Sequence, residues 1–226
     1  MDRPVTAEGM AARLTIDSGL AARHPGLDAH LLEVRGLAIR DRDDRLDSFA
    51  AVLVREFREH LELATLKDDP ILRAYRDFYW RVGIDPTKIR PASEALLRRV
   101  LQGRDLPRIN TLVDAYNLAS MKTQVSIAAF DATKIHGDLT MRLARPSEAF
   151  LGIGMEMPSA LQGREVVVED ADSLIAIYPY RDADATKVTP ETRDVVFMLC
   201  GVPGIPRQQL LEAAETTREF VERFCR

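Results

Sequence analysis

The segment from Trp80 to Ala144 changes its hydrophobic period from helical to strand-like within one stretch of chain, and this limits the folds available to it. GIDPTKIRP opens the segment as a turn with two prolines. Pro91 then stands just ahead of a helix, Ala92 to Gln102, closed by Gly103. Leu96, Leu97, Val100 and Leu101 form its apolar stripe, while Arg98 and Arg99 face elsewhere. Leu106-Pro107 ends the connection. The next helix runs from about Ile109 to Met121, with Ile109, Leu112, Val113 and Tyr116 inward. His136-Gly137 reads as a turn, and Leu139, Met141 and Leu143 alternate with Asp138, Thr140 and Arg142 in a half-buried strand. Two helices leading directly into a run of strands point to a layered α+β domain.

The flanking sequence extends this pattern. Two short strands are expected around Arg13–Ile16 and Leu31–Leu37, broken at His24-Pro25-Gly26. From Asp43 to Leu63, Leu46, Phe49, Ala50, Leu53, Phe57 and Leu61 recur at helical spacing behind an acidic start. Ile71 to Tyr79 reads as another short helix. Phe150–Ile153, Glu165–Glu169, Leu174–Tyr180 and Val195–Cys200 are strand candidates, and Pro206 to Phe224 is a closing amphipathic helix. No internal repeat or low-complexity segment interrupts the chain.

At 226 residues, with 46% hydrophobic and 29% charged residues, the chain has the makings of a substantial core. No apolar run approaches the roughly 18 residues that a membrane helix requires. The N-terminus MDRPVTAEGMAARL carries acids and no apolar centre, unlike a secretory signal. Cys200 and Cys225 are the only cysteines and are expected as thiols in a reducing cytoplasm. A net charge of −4 argues against a chain-wide grip on nucleic acid, whether DNA or RNA. Locally, Lys88, Arg90, Arg98, Arg99, Arg104 and Arg108 outnumber Glu94 and Asp105. Such a cluster is either a solvated helix face or a phosphate-facing patch.

Three linked phrases in this segment, GIDPTKIRPASEALLRRVLQG, LPRINTLVDAYN and AAFDATKIHGDLTMRLA, resemble the B3/B4 domain of the phenylalanyl-tRNA synthetase beta subunit. The match covers about residues 75–200 and looks more like stand-alone proteins made of this domain. The resemblance implies an α+β fold, a three-layer β/β/α sandwich spanning 75–226, with residues 1–74 as an N-terminal α+β extension packed on it. It also implies a substrate class. In the synthetase the domain is an editing module that hydrolyses mischarged tyrosyl-tRNA.

The same resemblance assigns candidate residues. Asn117, in VDAYN, matches a pocket Asn, and the neighbouring Thr of the family is Tyr116 here. By helical spacing Asn110, Val113 and Asn117 share a face; a buried Asn there either lines a pocket or ties the helix to a strand. Aligned through Phe130-Asp131, the position of the family's pocket His is Ala128. The general acid–base help of such an imidazole, typically about 100-fold to 10,000-fold, must come from elsewhere or be absent. Arg142 and Glu148 match an Arg-x-Ala-x-x-Gly-Glu phrase in which Ser147 replaces the Gly; they form either an ion pair or a grip on a carboxylate or phosphate. Arg181-Asp182 and Thr186-Lys187-Val188-Thr189 match phrases of the stand-alone members, with Asp182 or Asp184 in the place of a loop carboxylate. Arg181 is either a loop ion pair or a cation for a terminal phosphate or substrate carboxylate. Gly152 and Gly154 leave room for a ligand near the backbone.

The histidines, His24, His30, His60 and His136, lack zinc-ligand spacing, and no metal or other cofactor is expected. There is no GxSxG elbow or GxxxxGK[ST] loop, and a bare GxG does not make a dinucleotide site. Two functions follow as expectations. One is trans-acting aminoacyl-tRNA deacylation, with Asn117 and Asp182 catalytic. Asn110, Tyr116, Ala128, Arg142, Glu148, Gly152, Gly154, Arg181 and Thr186 would bind substrate, and Lys88, Arg90, Arg98 and Arg99 would bind RNA. The other is non-catalytic binding of tRNA, its 3′ end or a free amino acid. A ligase is excluded, because the family's ATP-binding core lies outside this domain.

Overall fold

A computed structural model describes residues 12–226. The N-terminal stretch read above for targeting signals lies largely outside them. In chain order the elements are β1 (Leu14–Ile16), α1 (Ser18–Arg23), β2 (Asp28–Val34), α2 (Asp44–His60), α3 (Pro70–Arg81), α4 (Ala92–Leu101) and α5 (Thr111–Thr123). There follow β3 (Ser126–Asp131), β4 (Leu139–Leu143), β5 (Ala149–Phe150), β6 (Ser159–Ala160), β7 (Val166–Glu169), β8 (Leu174–Ile177), β9 (Arg181–Asp182), β10 (Val195–Gly201) and α6 (Arg207–Phe224).

Two sheets and a helical layer share one core. The first sheet has the order β1-β4-β7-β8-β9, and the second β2-β10-β3; β5 and β6 form a separate hairpin. β1 runs parallel to β4, and the remaining pairings are antiparallel. Met141, Val166, Val168 and Ile175 of the first sheet join Val34, Phe130 and Phe197 of the second, and Leu112, Ala119, Leu210 and Phe220 of α5 and α6 complete the cluster. This is the β/β/α layering expected for the α+β class. A satellite cluster of Leu66, Leu72, Leu97, Val100 and Met121 seats α3 and α4 against α5. The segment read as an extension is woven in, because β1 pairs with β4 and β2 with β10.

β10 is buried at all seven positions and is the central strand of its sheet. Tyr75 of α3 locks it to β3: its hydroxyl accepts from Ser126 N at 2.9 Å and donates to the Cys200 carbonyl. At the other end of β3, Asp131 Oδ2 accepts from Thr192 Oγ1 at 2.6 Å, and Asp131 Oδ1 accepts from Thr133 N at 3.0 Å. The Asp of AAFD is thus a structural pin between β3 and the approach to β10.

Several boundaries differ from expectation. β3 is a strand that the sequence does not mark, and all six of its residues are buried. Leu174–Tyr180 is a strand only to Ile177, before the cis Tyr178–Pro179 bond. Phe150–Ile153 is a strand only at its first residue, with an isolated bridge from Gly152 to Ala183. α5 starts after Asn110, so Ile109 lies outside the helix and is 58% exposed rather than inward.

Candidate functional site

α5, β3, the β8–β9 turn, β10 and the start of α4 enclose a cavity of about 200 Å³. β3 is an edge strand, so its backbone is open to a neighbour on one side. The segment after β9 takes that place: Asp131 N donates to Thr186 O at 2.9 Å, and Phe130 bridges Lys187. This brings Asp182 to the β3 edge. Asn117 and Tyr116 line the cavity from α5, Ser126 to Ala128 from β3, Met198 and Cys200 from β10, and Ala92 from α4.

Asp182 is partly buried and lies in none of the ion pairs among the described residues. Burial pushes its carboxyl up to about 7, and the Ala129 amide N–H pulls weakly the other way. Arg181 does not neutralise it. The Arg181 guanidinium donates to Ile153 O at 3.1 Å and to the Tyr180 hydroxyl at 3.2 Å, with its stem against Gly152. Burial likewise pushes up the Tyr116 phenol and the Cys200 thiol, with the Asp182 charge adding to both. The Tyr116 ring packs edge-on against Phe197 at 5.9 Å.

Two polar groups on the cavity wall have spare hydrogen-bonding capacity. Ser126 Oγ is buried and has no partner among the described residues. The Asn117 amide, midway along α5, makes no hydrogen bond to the described residues either. Leaving a buried polar group unpaired costs about 1–3 kcal/mol, which marks Ser126 as receptive to a ligand, while the half-buried Asn117 amide is free to turn toward one. Asn117 also lines a larger groove of about 610 Å³ between α2, α4 and α5, rimmed by Arg55, Arg58, Arg104 and Arg108 and by Asp47, Asp105 and Asp114. The smaller cavity brings the Asp182 carboxyl together with the Asn117 amide and the Ser126 hydroxyl, whereas the carboxyls of the larger groove stand among arginines.

Asn117, Tyr116, Ala128, Arg181 and Asp182 therefore meet around one cavity, whereas the other sequence candidates stand elsewhere. Asn110 is the N-cap of α5, its Oδ1 accepting from Val113 N at 2.9 Å, so it does not share a helix face with Asn117. Arg142 grips both oxygens of Glu148, at 2.6 and 3.0 Å, and also Glu169 on β7, which makes it a structural tie. At Gly152 the N–H donates to Met155 Sδ, and the Ile153 N–H donates to Asp182 O, so this backbone is occupied. Gly154 sits beside open space with φ +78°. Thr186 Oγ1 is buried without a partner among the described residues but lies outside the cavity wall.

The four basic candidates do not act alike. Lys88 and Arg90 stand exposed ahead of α4. Arg98 folds onto the buried Glu94 at 2.7 Å, and Arg99 Nε donates to Asp105 O. No local period marks Ser126 or Cys200, on strands buried along their whole length, or Tyr178, in the turn after β8, as cavity residues. Among the described residues, no cluster of three His, Cys, Asp or Glu is placed to hold a metal ion, and no helix is long and apolar enough to cross a membrane.

The same chain resembles known proteins. The phenylalanine–tRNA ligase beta subunit of Corynebacterium efficiens is 32% identical over 115 residues, covering 51% of this chain and 13% of that protein. The beta subunit of Psychrobacter arcticus is 33% identical over 88 residues, 39% of this chain and 11% of the relative. The chain thus spans only a small part of these relatives. An N-terminal fragment of the phenylalanyl-tRNA synthetase beta subunit from Pyrococcus horikoshii superposes with a TM-score of 0.51, at 14% identity, over 95% of this chain and 49% of that one; this likeness concerns the fold. The model of the B3/4 domain matches residues 74–226, which take in the cavity and all but two strands of the sandwich, and the chain belongs to that family.

Proposed function

We propose that this chain acts on aminoacyl-tRNA, receiving the aminoacylated 3′ end and hydrolysing the ester of a misacylated tRNA. The B3/4 relationship to synthetase beta subunits supports a tRNA-related role. The observation that carries the hydrolytic reading is the cavity shared by Asn117, Ser126 and Asp182. Burial raises the Asp182 carboxyl to about 7, so near neutral pH a bound cation readily holds it ionised, and the carboxylate can then accept a proton from the attacking water. Asn117 and Ser126 offer donors to a polarised carbonyl, and the first turn of α4 has no side-chain cap. Hydrolysis of wrong pairs at a second site is needed because one pocket discriminates poorly between close analogues.

One observation favours the alternative of binding without catalysis. Ala128 stands on the cavity wall, and no imidazole lines it among the described residues. Deacylation of a panel of mischarged tRNAs separates the two readings. Tyrosyl-tRNA with the phenylalanine acceptor is the first substrate, and Asn117→Ala the control. Hydrolysis of one pair, lost in the variant, is the expected result. Intact ester across the panel, together with tRNA retention, supports the binding reading.

A further inference from the structure

The cavity has an electrostatic peculiarity: its carboxyl faces no cation among the described residues. Arg181, adjacent in sequence, spends its guanidinium on Ile153 O and the Tyr180 hydroxyl. Lys187, on the following loop, pairs with Asp184 at 2.8 Å. The titratable neighbours on the other walls are Tyr116 from α5, Cys200 from β10, and Tyr178 and Tyr180 flanking Pro179. Tyr178 directs its hydroxyl at the carbonyls of Asp28 and Gly201, at 2.8 and 2.9 Å. Apart from Asn117 and Ser126, the rest of the wall is apolar, with Ala92, Ile127, Ala128, Ala176 and Met198. A carboxyl in such surroundings either keeps its proton or awaits a positive charge from outside.

We propose that Asp182 receives the α-ammonium group of the aminoacyl ligand, while the Asn117 amide and the Ser126 hydroxyl take up its acyl carbonyl. This rests on the aminoacyl-tRNA reading above and assigns the orientation of the ligand within it. The ligand brings a positive charge to a carboxyl that has none beside it among the described residues, and Asn117 from α5 and Ser126 from β3 line the same cavity as that carboxyl. The three alanines leave the volume beside it for the side chain.

The arrangement predicts how pH acts on binding. An ammonium beside the carboxylate lowers the carboxyl's proton affinity, so binding near neutral pH releases a proton from Asp182. Affinity therefore rises as pH climbs to about 7. It falls again above about 8, where an α-amino group loses its own proton.

The test is calorimetric titration of the full chain with 3′-(L-alanylamino)-3′-deoxyadenosine, whose amide resists hydrolysis, and with its desamino counterpart 3′-(propionylamino)-3′-deoxyadenosine, which is smaller and uncharged. Phenylalanyl and tyrosyl analogues with their desamino forms extend the pair to larger side chains. The expected result is at least tenfold tighter binding of an amine form, with proton release at pH 6.5 and loss of the preference in Asp182→Asn. Equal binding of amine and desamino forms by the unaltered chain overturns the ammonium assignment and leaves the aminoacyl reading standing. Failure of every analogue to bind the unaltered chain overturns both.

Discussion

The aliphatic stem of Arg181 occupies the space where Gly152 lacks a side chain. A Cβ placed on Gly152 would stand 2.3 Å from Arg181 Cδ and 2.8 Å from its Cγ. The contact fixes the hydrogen bond from Arg181 to Ile153 O and, through the Ile153 N–H to Asp182 O bond at 2.9 Å, the backbone that carries Asp182. Gly152→Ala forces the stem aside. A loss of about 1–3 kcal/mol is expected from overpacking, together with weaker ligand binding. Urea unfolding and titration with the alanylamino nucleoside check both; unchanged values in the two experiments contradict the tight contact.

Glu94 is a second point of tension. Its side chain is fully buried at the start of α4, held by Arg76 at 3.0 Å and Arg98 at 2.7 Å. Removing one member of a buried ionic group strands the rest without compensation. Glu94→Ala is expected to destabilise the fold by about 3–5 kcal/mol. A shift of the urea midpoint measures it, and a shift no larger than that of a surface substitution shows that solvent already screens the two arginines.

The fold was largely readable from local period, and the site only in part. α2, α4 and α6 announce themselves by apolar residues at helical spacing, and β4 by alternation. β3 does not, because both its faces are covered and every residue is buried. Ser126 was missed with it. Of the α5 stripe Ile109, Leu112, Val113 and Tyr116 only Leu112 is buried, and the buried face runs through Ala115, Leu118 and Ala119 instead. Asn110 misled for a different reason: spacing was counted through a residue that lies one step ahead of the helix and serves as its cap. The Arg142–Glu148 pair is visible at six residues' separation, but the partner that completes it, Glu169, is 27 residues away and reaches it through the pairing of β4 with β7. The cavity itself depends on β9 reaching the edge of β3, a long-range arrangement that no local pattern encodes.

Two asparagines on one element should respond in opposite ways. Asn110 spends its side chain on the first turn of α5, and loss of such a cap costs about 1 kcal/mol. Asn110→Ala is therefore expected to lower thermal stability and leave deacylation intact. Asn117 has no hydrogen bond to lose among the described residues, so Asn117→Ala is expected to unfold close to the unaltered chain and to lose activity. Paired melting curves and deacylation assays decide the matter. Activity loss in both variants in proportion to destabilisation reduces Asn117 to a packing residue.

Asp182 links stability to function through pH. Its carboxyl is raised from 3.8 to about 7 in the folded chain. Between these values the unfolded chain has released the proton that the folded chain still holds, so stability falls as pH rises through this window. Below the unfolded value both states are protonated and the group contributes no difference; above about 7 the penalty is complete. Asp182→Asn removes the titration. The variant should match the unaltered chain near pH 3.5 in this respect and gain on it steadily up to pH 8, by on the order of 1–2 kcal/mol after allowing for partial exposure. The same variant should lose ligand binding, since the amide carries no charge for the ammonium. A stability difference between the two chains that stays constant from pH 4 to pH 8 shows that Asp182 ionises freely in the folded state. Gain in stability with loss of binding is the pattern of a carboxyl kept in an unfavourable place for the ligand it serves.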